Sequence, residues 1–126
     1  MEEDAHDDIF GTIELCGRIL RLKWVPGAVV RESDAKALMQ RARDLSAGRT
    51  LPLLVEMTGM TWIDRRAQEA FATSWPLIRA AIVGTSAVDE AIAGFYMARH
   101  HPAHPTRFFT SKGEALAWLT EDPAQP

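Results

Sequence analysis

The sequence predicts an α/β fold: one domain with a mixed, largely parallel five-stranded sheet, an antiparallel edge hairpin and helices packed on the sheet. Two runs that alternate apolar and polar residues, joined by Cys16 and Gly17, predict the hairpin. Residues 51–57 (LPLLVEM) are apolar at nearly every position, which is typical of a strand covered on both faces. Strands and helix-spaced segments alternate from there on, and this pattern favours right-handed crossovers between parallel strands.

The predicted order of elements is β-β-α-β-α-β-α-β-α. The five strands are predicted at residues 9–15, 18–24, 51–57, 77–84 and 106–110. The first helix begins near Ser33 or Asp34, either of which can cap it, and Gly48 stands where a helix ends in a left-handed residue. The second helix begins after Asp64 and stops at Pro76.

The last two helices carry capping signals at their N-termini. Ser86 is followed three residues later by Asp89, and Ser111 by Glu114, as in a capping box. The helix after Ser86 places four apolar residues on one face: Val88, Ile92, Phe95 and Tyr96. If that surface, extended by Met97, is exposed, a homodimer would be the simplest way to cover it.

Length and composition indicate a single globular domain. The chain has 126 residues, of which 47% are hydrophobic and 25% charged, as is ordinary for a domain that needs no metal or disulfide to fold. We predict a disordered acidic tail at residues 1–8, the domain at 9–121 and a C-terminal tail at 122–126. The start is acidic where a signal peptide is basic, and no apolar run approaches the roughly 18 residues of a membrane span. A cytoplasmic protein without a membrane partner is therefore expected.

The distribution of charge argues against nucleic acid as a partner. The net charge is −3, but the first eight residues hold five of the 17 acidic groups. The rest of the chain has 12 acidic and 14 basic residues, so its net charge is close to +2. Nucleic-acid binders usually show a basic stripe and a high pI, which this sequence lacks.

The most informative stretch is the strand, loop and helix at residues 51–75. Its run LLVEMTGMTWID resembles a segment of anti-sigma factor antagonists and the wider STAS domains (sulfate transporter and anti-sigma factor antagonist). That segment reads apolar strand, Asp-Leu-Ser-Gly, two or three mostly apolar residues, then Phe/Ile-Asp-Ser-Ser-Gly. Glu56 stands at the first Asp and Thr58 at the Ser. Gly59 stands at the Gly, and Ile63 with Asp64 at the second apolar-Asp pair.

This resemblance implies a STAS-like fold over essentially the whole chain. The C-terminal part is also similar to small bacterial STAS-like proteins of unknown function, which end in an aromatic strand and a helix with Ala-Leu-x-Trp-Leu. The residues that carry this second similarity are Phe108, Phe109, Ala115, Leu116, Trp118 and Leu119.

The chain departs from the antagonists directly after Asp64. There the family keeps two serines, and the second takes a phosphate from the partner kinase. This chain has Arg65 and Arg66 instead. Since neither side chain can be phosphorylated on oxygen, the kinase-driven switch does not carry over.

Arg65 and Arg66 also stand where helix electrostatics disfavours them. Cations in the first turn cost roughly 0.3–1 kcal/mol each, because the helix N-terminus carries a partial positive charge. One interpretation is that both side chains are solvated and pair with Asp64 and Glu69. The other is a site for an anion or for a protein partner, where backbone N–H groups and guanidinium groups converge. The residues of that candidate site are Thr58, Trp62, Asp64, Arg65 and Arg66.

Catalytic and metal sites are less well supported by the sequence. Three histidines lie within five residues (His100, His101 and His104), but their loop offers no cysteine or carboxylate ligand, so a polar loop is favoured over a metal site. Cys16 has no sequence partner that identifies a base. Glu56 and Asp64 can converge as a carboxylate pair, but no nucleophile or metal-ligand set accompanies them. We expect no catalytic residue, no metal and no cofactor.

Three classes of function follow from these observations. We favour a non-enzymatic STAS-like regulatory or protein-interaction domain that binds a protein partner through the central loop and its helix. The alternative is a small-molecule or lipid-binding module, which predicts a deep cavity near that loop. An enzyme, the third class, predicts a convergent polar cleft.

Overall fold

The computed structural model describes residues 11–57 and 62–121. The strands are β1 (Gly11–Cys16), β2 (Ile19–Trp24), β3 (Val29–Val30), β4 (Leu51–Glu56), β5 (Trp62–Ile63), β6 (Leu77–Val83) and β7 (Thr106–Phe109). The helices are α1 (Glu32–Ser46), α2 (Arg65–Ser74), α3 (Ala87–His100) and α4 (Lys112–Leu119). The predicted terminal tails, residues 1–8 and 122–126, lie outside these ranges and stay predictions.

The main sheet has five strands in the order β1-β2-β4-β6-β7. The β1–β2 hairpin is antiparallel, whereas β2–β4, β4–β6 and β6–β7 are parallel pairs. The predicted mixed sheet with an edge hairpin is therefore confirmed. Within the described ranges the strand bounds differ from the predicted ones by one residue at several ends, which is the usual uncertainty of such boundaries, and residues 9 and 10 of the first predicted strand lie outside those ranges.

A second, two-stranded sheet was not predicted. It pairs β3 with β5 in parallel, with Val29 opposite Trp62 and Val30 opposite Ile63. Strands of two residues are too short to show an alternating pattern, so the sequence carries no signal for them. This small sheet holds the chain immediately before α2, and Asp64 N donates to Val30 O at 2.9 Å.

The helix starts follow the predicted caps in three of four cases. Backbone N–H groups in the first turn donate to the side chains of Asp64, Ser86 and Ser111. For α1 the predicted N-cap, Ser33 or Asp34, is wrong. The helix begins at Glu32 after Arg31, and Asp34 Oδ2 instead accepts the Arg31 N–H at 2.9 Å.

The C-terminal end of α1 agrees with the sequence signal and extends it. Gly48 has a left-handed φ of 80°, as predicted, and the preceding Ala47 is also left-handed with a φ of 53°. The Ala47 N–H donates to the carbonyls of Arg43 and Asp44, which closes the last turn.

The two faces of the sheet carry separate apolar cores. Alternation along β4 sends Leu53 to the core under α1 and α2, and Leu54 to the core under α4. The first core includes Leu20, Leu22, Leu38, Met39, Phe71 and Trp75. The second includes Ala81, Phe109, Ala115 and Leu119. Strand β4 is thus covered on both sides, as its continuous apolar run predicts.

Helix α3 packs differently from the other helices. Ala93 is its only buried residue, and neither core contains a described residue of α3. Its apolar face is largely exposed at Val88, Ile92 and Phe95. The helix therefore stands away from the sheet and leaves space beneath it. No helix in the described ranges is long and apolar enough to cross a membrane.

Candidate functional site: an apolar pocket with a basic rim

A pocket with a volume of about 530 Å³ lies between the sheet and helices α2 and α3. Its floor is formed by Leu22, Leu53, Val55, Ala80 and Ile82, and its walls by Phe71, Trp75, Ile92, Ala93 and Tyr96. The lining is mostly apolar. Cavities of roughly 300–1,000 Å³ with such a lining are typical of sites for one small molecule.

The register of three parallel strands produces the floor of the pocket. Leu22 lies opposite Val55, and Val55 lies opposite Ile82. Paired residues of neighbouring strands point to the same face, so these three side chains form one row. The next pocket-facing position on β6 is Ala80, whose small side chain leaves the floor open.

Aromatic packing fixes the wall that α2 contributes. The Phe71 ring lies 5.6 Å from that of Trp75 and 6.1 Å from that of Trp24, measured between ring centroids. All three residues belong to the buried core, and such tilted aromatic contacts add about 0.5–1.5 kcal/mol each beyond their burial. This side of the pocket is therefore part of the packed core.

The mouth of the pocket is marked by two exposed aromatic residues. Trp62 is 68% exposed and Phe95 is 77% exposed, and both also line the pocket. Trp62 is held by its backbone, because its N–H donates to Ala28 O at 2.8 Å within the small sheet. Exposed large apolar groups at the edge of a cavity are typical of a binding surface.

The start of α2 places its two arginines in different surroundings. Asp64 Oδ1 accepts the Ala67 N–H at 2.8 Å and so fixes the first turn. Arg65 lines the pocket. Arg66, one residue on, points away from it; the side chain is 83% exposed and reaches Glu32 at 4.0 Å. Of the predicted pair, only Arg65 belongs to this site.

A smaller polar depression of about 230 Å³ adjoins the pocket. It is lined by Arg65, Glu69, Thr73, Arg99 and His100, so Arg65 and Arg99 border both spaces. Burial first, and then the charges of Arg99 and Arg65, lower the pKa of His100, while Glu69 opposes the shift. His100 Nε2 lies 3.1 Å from Gln68 Oε1. Burial is thus the main cause of the lowered pKa of His100, and the two arginines add to it.

Two titratable side chains on the pocket wall are kept neutral by burial. Burial raises the pKa of Tyr96 to about 12. Burial also lowers the pKa of His104; the backbone of Phe71 and of Pro105 opposes this shift, although neither completes a hydrogen bond to Nε2. His104 Nδ1 lies 3.2 Å from Thr106 Oγ1, and its Nε2 has no hydrogen-bond partner among the described residues.

The predicted pair of Glu56 and Asp64 has separate partners. Glu56 lies at the end of β4, where its carboxylate is 2.7 Å from Arg21 and 3.8 Å from Lys112. Burial raises the pKa of Glu56, but the Arg21 hydrogen bond and the nearby positive charges outweigh it, so the net shift is downward. Asp64 is used as the helix cap.

The other candidate residues lie in separate parts of the structure. Cys16 is exposed at the end of β1, and its Sγ accepts from Arg21 Nη1 at 4.0 Å. His101 is the left-handed residue that ends α3. Within the described ranges, no three His, Cys, Asp or Glu side chains are arranged to hold a metal ion.

The structure brings together only part of the site that the sequence predicts. Trp62 and Arg65 lie at the pocket, Asp64 caps the helix, Arg66 faces elsewhere, and Thr58 lies outside the described residues. Sequence reasoning missed Arg99. A signal for it exists, because Ile92, Phe95, Tyr96 and Arg99 follow the i, i+3, i+4, i+7 spacing of one helix face.

The sheet order, the edge hairpin and the helices on both faces are those of a STAS-like α/β fold. In structure the chain is similar to an uncharacterised protein of the DUF3478 family with a SpoIIAA-like fold, from Shewanella loihica PV-4. The TM-score is 0.59 and the identity 18%, over 92% of this chain and 99% of that one. This similarity confirms the STAS-like fold that the central motif predicts.

The chain belongs to the family described as a domain of unknown function, DUF7793, whose model matches residues 13–122. It is also 35% identical to a protein of unknown function from Arthrobacter sp. FB24, over 88% of this chain and 100% of that one, with a TM-score of 0.35. No curated protein matches the sequence.

Proposed function

We propose that this protein is a non-catalytic binding module that holds one apolar small molecule in the pocket between the sheet and helices α2 and α3. The observation that carries the proposal is the pocket itself, about 530 Å³ in volume and lined mostly by apolar side chains. Burying a ligand there removes apolar surface from water at roughly 25 cal/mol per Å². This favours the alternative among the predicted functions over the protein-interaction role.

The wall residues support binding rather than acid–base chemistry. An efficient general acid or base has a pKa near the working pH. The pKa of Tyr96 is raised to about 12 and that of His104 is lowered, both by burial, so both side chains present neutral groups to the pocket near pH 7.

Uptake of the neutral fluorophore N-phenyl-1-naphthylamine tests the proposal. We expect saturable binding of one molecule per chain, with enhanced fluorescence. Ala80→Leu fills part of the space that the ligand would occupy and should weaken binding about tenfold, because overpacking costs about 1–3 kcal/mol and about 1.4 kcal/mol is a tenfold change in affinity. Ile78→Leu, an exposed position on the same strand that does not line the pocket, is the matched control and should bind like the wild type. Absence of saturable binding, or equal binding by Ala80→Leu, would contradict the proposal.

A regulatory role through a protein partner is the second candidate, and it is supported by exposed apolar groups at the pocket mouth and on α3. Trp62, Val88 and Phe95 are each more than half exposed. Such side chains are favoured at contacts with a partner or a second copy of the chain. Arg65 and Arg66 in place of two serines support control by occupancy of this surface rather than by phosphorylation.

Native mass spectrometry of the protein purified from its own host separates the two candidates. A bound small molecule on a monomer favours the pocket. A dimer or a stable complex that Phe95→Ser and Trp62→Ser dissolve, with no small molecule bound, favours the contact surface.

A further inference from the structure

Two arginines mark the boundary between apolar and polar space at the candidate site. Arg65, from the first turn of α2, and Arg99, from the last turn of α3, each line both the apolar pocket and the polar depression beside it. They are far apart in sequence, and the packing of α2 against α3 brings them to one rim. A molecule that fills the pocket would therefore meet two guanidinium groups at the point where it leaves the apolar lining.

Arg65 and Arg99 differ from Arg66 in the ion pairs that the described residues form. None of the ion pairs within residues 11–57 and 62–121 uses Arg65 or Arg99. Arg66 differs, because it lies within 4.0 Å of Glu32. Glu69 lines the depression and offsets part of the charge, while burial and the two arginines lower the pKa of His100 and so disfavour its charged form. Two positive groups and one negative group leave the rim with an excess of one positive charge.

A guanidinium group at the end of an apolar cavity favours a ligand that has a charged head and an apolar body. A charged head can form hydrogen bonds with arginine, which binds carboxylates in a bidentate geometry. An apolar body gains about 0.8 kcal/mol for each methylene group that it buries. The volume suits one molecule rather than a two-chain lipid together with its headgroup.

We propose that the pocket binds a single-chain aliphatic carboxylate, with the chain between the sheet and α3 and the carboxylate at Arg65 and Arg99. This inference rests on the proposed function and names the ligand class for the same pocket. The single excess positive charge of the rim matches a monoanion. Trp62 and Phe95 flank the same opening and cover the part of the chain next to the head.

Isothermal titration of the delipidated protein with dodecanoate and with dodecanol tests the inference, because the two probes share the chain and differ in the charge of the head. We expect dodecanoate to bind at least about tenfold more tightly, the lower end of what hydrogen bonds to a charged group contribute. Decanoate should bind roughly tenfold more weakly than dodecanoate, since it buries two fewer methylene groups.

Variants that remove one positive charge test where the carboxylate of the ligand binds. Arg65→Gln and Arg99→Gln should each weaken dodecanoate binding about tenfold and leave dodecanol binding unchanged. Arg66→Gln is the matched control: it removes the same charge one residue away, from a side chain that does not line the pocket, and should change neither affinity. All three side chains are exposed, so unchanged urea midpoints are expected to show that the variants are folded.

The possible outcomes separate this inference from the proposed function. Equal or tighter binding of dodecanol, or equal effects of Arg66→Gln and the two rim variants, overturns the carboxylate assignment and leaves a neutral-ligand pocket intact. If dodecanol, dodecanoate and the neutral fluorophore all fail to bind, the proposed function is overturned as well.

Discussion

Helices α4 and α3 cover the same sheet from opposite sides, and they do so in different ways. Helix α4 buries Ala115 and Leu119 in one core with Leu54 and Ala81. Helix α3 buries only Ala93 and borders a pocket of about 530 Å³. Helix α4 thus packs on its side of the sheet, whereas on the other side a cavity lies between α3 and the sheet, beside the core under α1 and α2.

The difference lies in which residues each helix turns towards the sheet. The ring of Trp118 on α4 packs 5.6 Å from Phe109, and Arg79 lies over the same indole at 4.8 Å. On α3 the corresponding large groups, Ile92 and Phe95, stay partly or mostly exposed at the pocket mouth. An apolar face that is not used for internal packing is available for a ligand or a partner.

Truncating a large side chain on the α4 side should lower the free energy of unfolding much more than truncating one on α3. Leu54 is fully buried in the α4 core, so Leu54→Ala should lower the free energy of unfolding by about 2–5 kcal/mol, through lost burial and the cavity that remains. Ile92 is 42% exposed at the pocket, so Ile92→Ala should lower it by less than about 1 kcal/mol. Urea unfolding measures both. Equal costs would mean that α3 packs on the sheet in solution.

Replacing each of two neighbouring alanines by leucine tests the same difference between the α4 side and the α3 side of the sheet. Ala80 and Ala81 are consecutive in β6 and point to opposite faces, one to the pocket and one to the α4 core. Ala81→Leu should cost about 1–3 kcal/mol, because the close-packed side has no room. Ala80→Leu can extend into the pocket and should cost less than about 1 kcal/mol. A larger loss for Ala80→Leu than for Ala81→Leu would contradict the asymmetry.

The sequence allows the fold to be predicted because its strong signals are local. The alternation in β1 and β2, the continuous apolar run of β4 and the capping residues Ser86 and Ser111 each reflect a backbone requirement at that position. The first helix start is missed because Asp34 can serve either as an N-cap or, as found, as an acceptor for Arg31 N–H. The sequence alone does not distinguish these roles.

The site is harder to predict because it depends on the distance between elements. The apolar residues of α3 have the same spacing whether the helix packs tightly or stands off, so periodicity cannot reveal a pocket. Arg65 and Arg99 meet only through the packing of α2 and α3. The central motif identifies Trp62 and Arg65, but it gives Arg66 the same weight, although the two arginines leave the helix in different directions.

A substitution at His104 tests whether the pocket wall is buried, through the pH dependence of the free energy of unfolding. Its side chain is 7% exposed, and burial lowers its pKa below the ordinary value of 6.5. The unfolded chain therefore binds this proton first as the pH falls. The neutral imidazole makes its full contribution to stability above the ordinary pKa of 6.5. This contribution is lost as the pH falls from 6.5 towards the pKa in the folded state. Over that range the free energy of unfolding changes by at most about 1.4 kcal/mol per pH unit.

His104→Asn removes that titration and keeps a group able to form a hydrogen bond with Thr106, the present partner of Nδ1. The variant should be less stable than the wild type at neutral pH, and its free energy of unfolding should fall less steeply on acidification from about pH 7 to pH 5. Because the lowered pKa of His100 acts in the same direction, some pH dependence should persist in the variant. Urea unfolding across this range measures both slopes. Identical slopes would mean that the imidazole is accessible to water, and that the pocket wall is more open than the packing of His104 indicates.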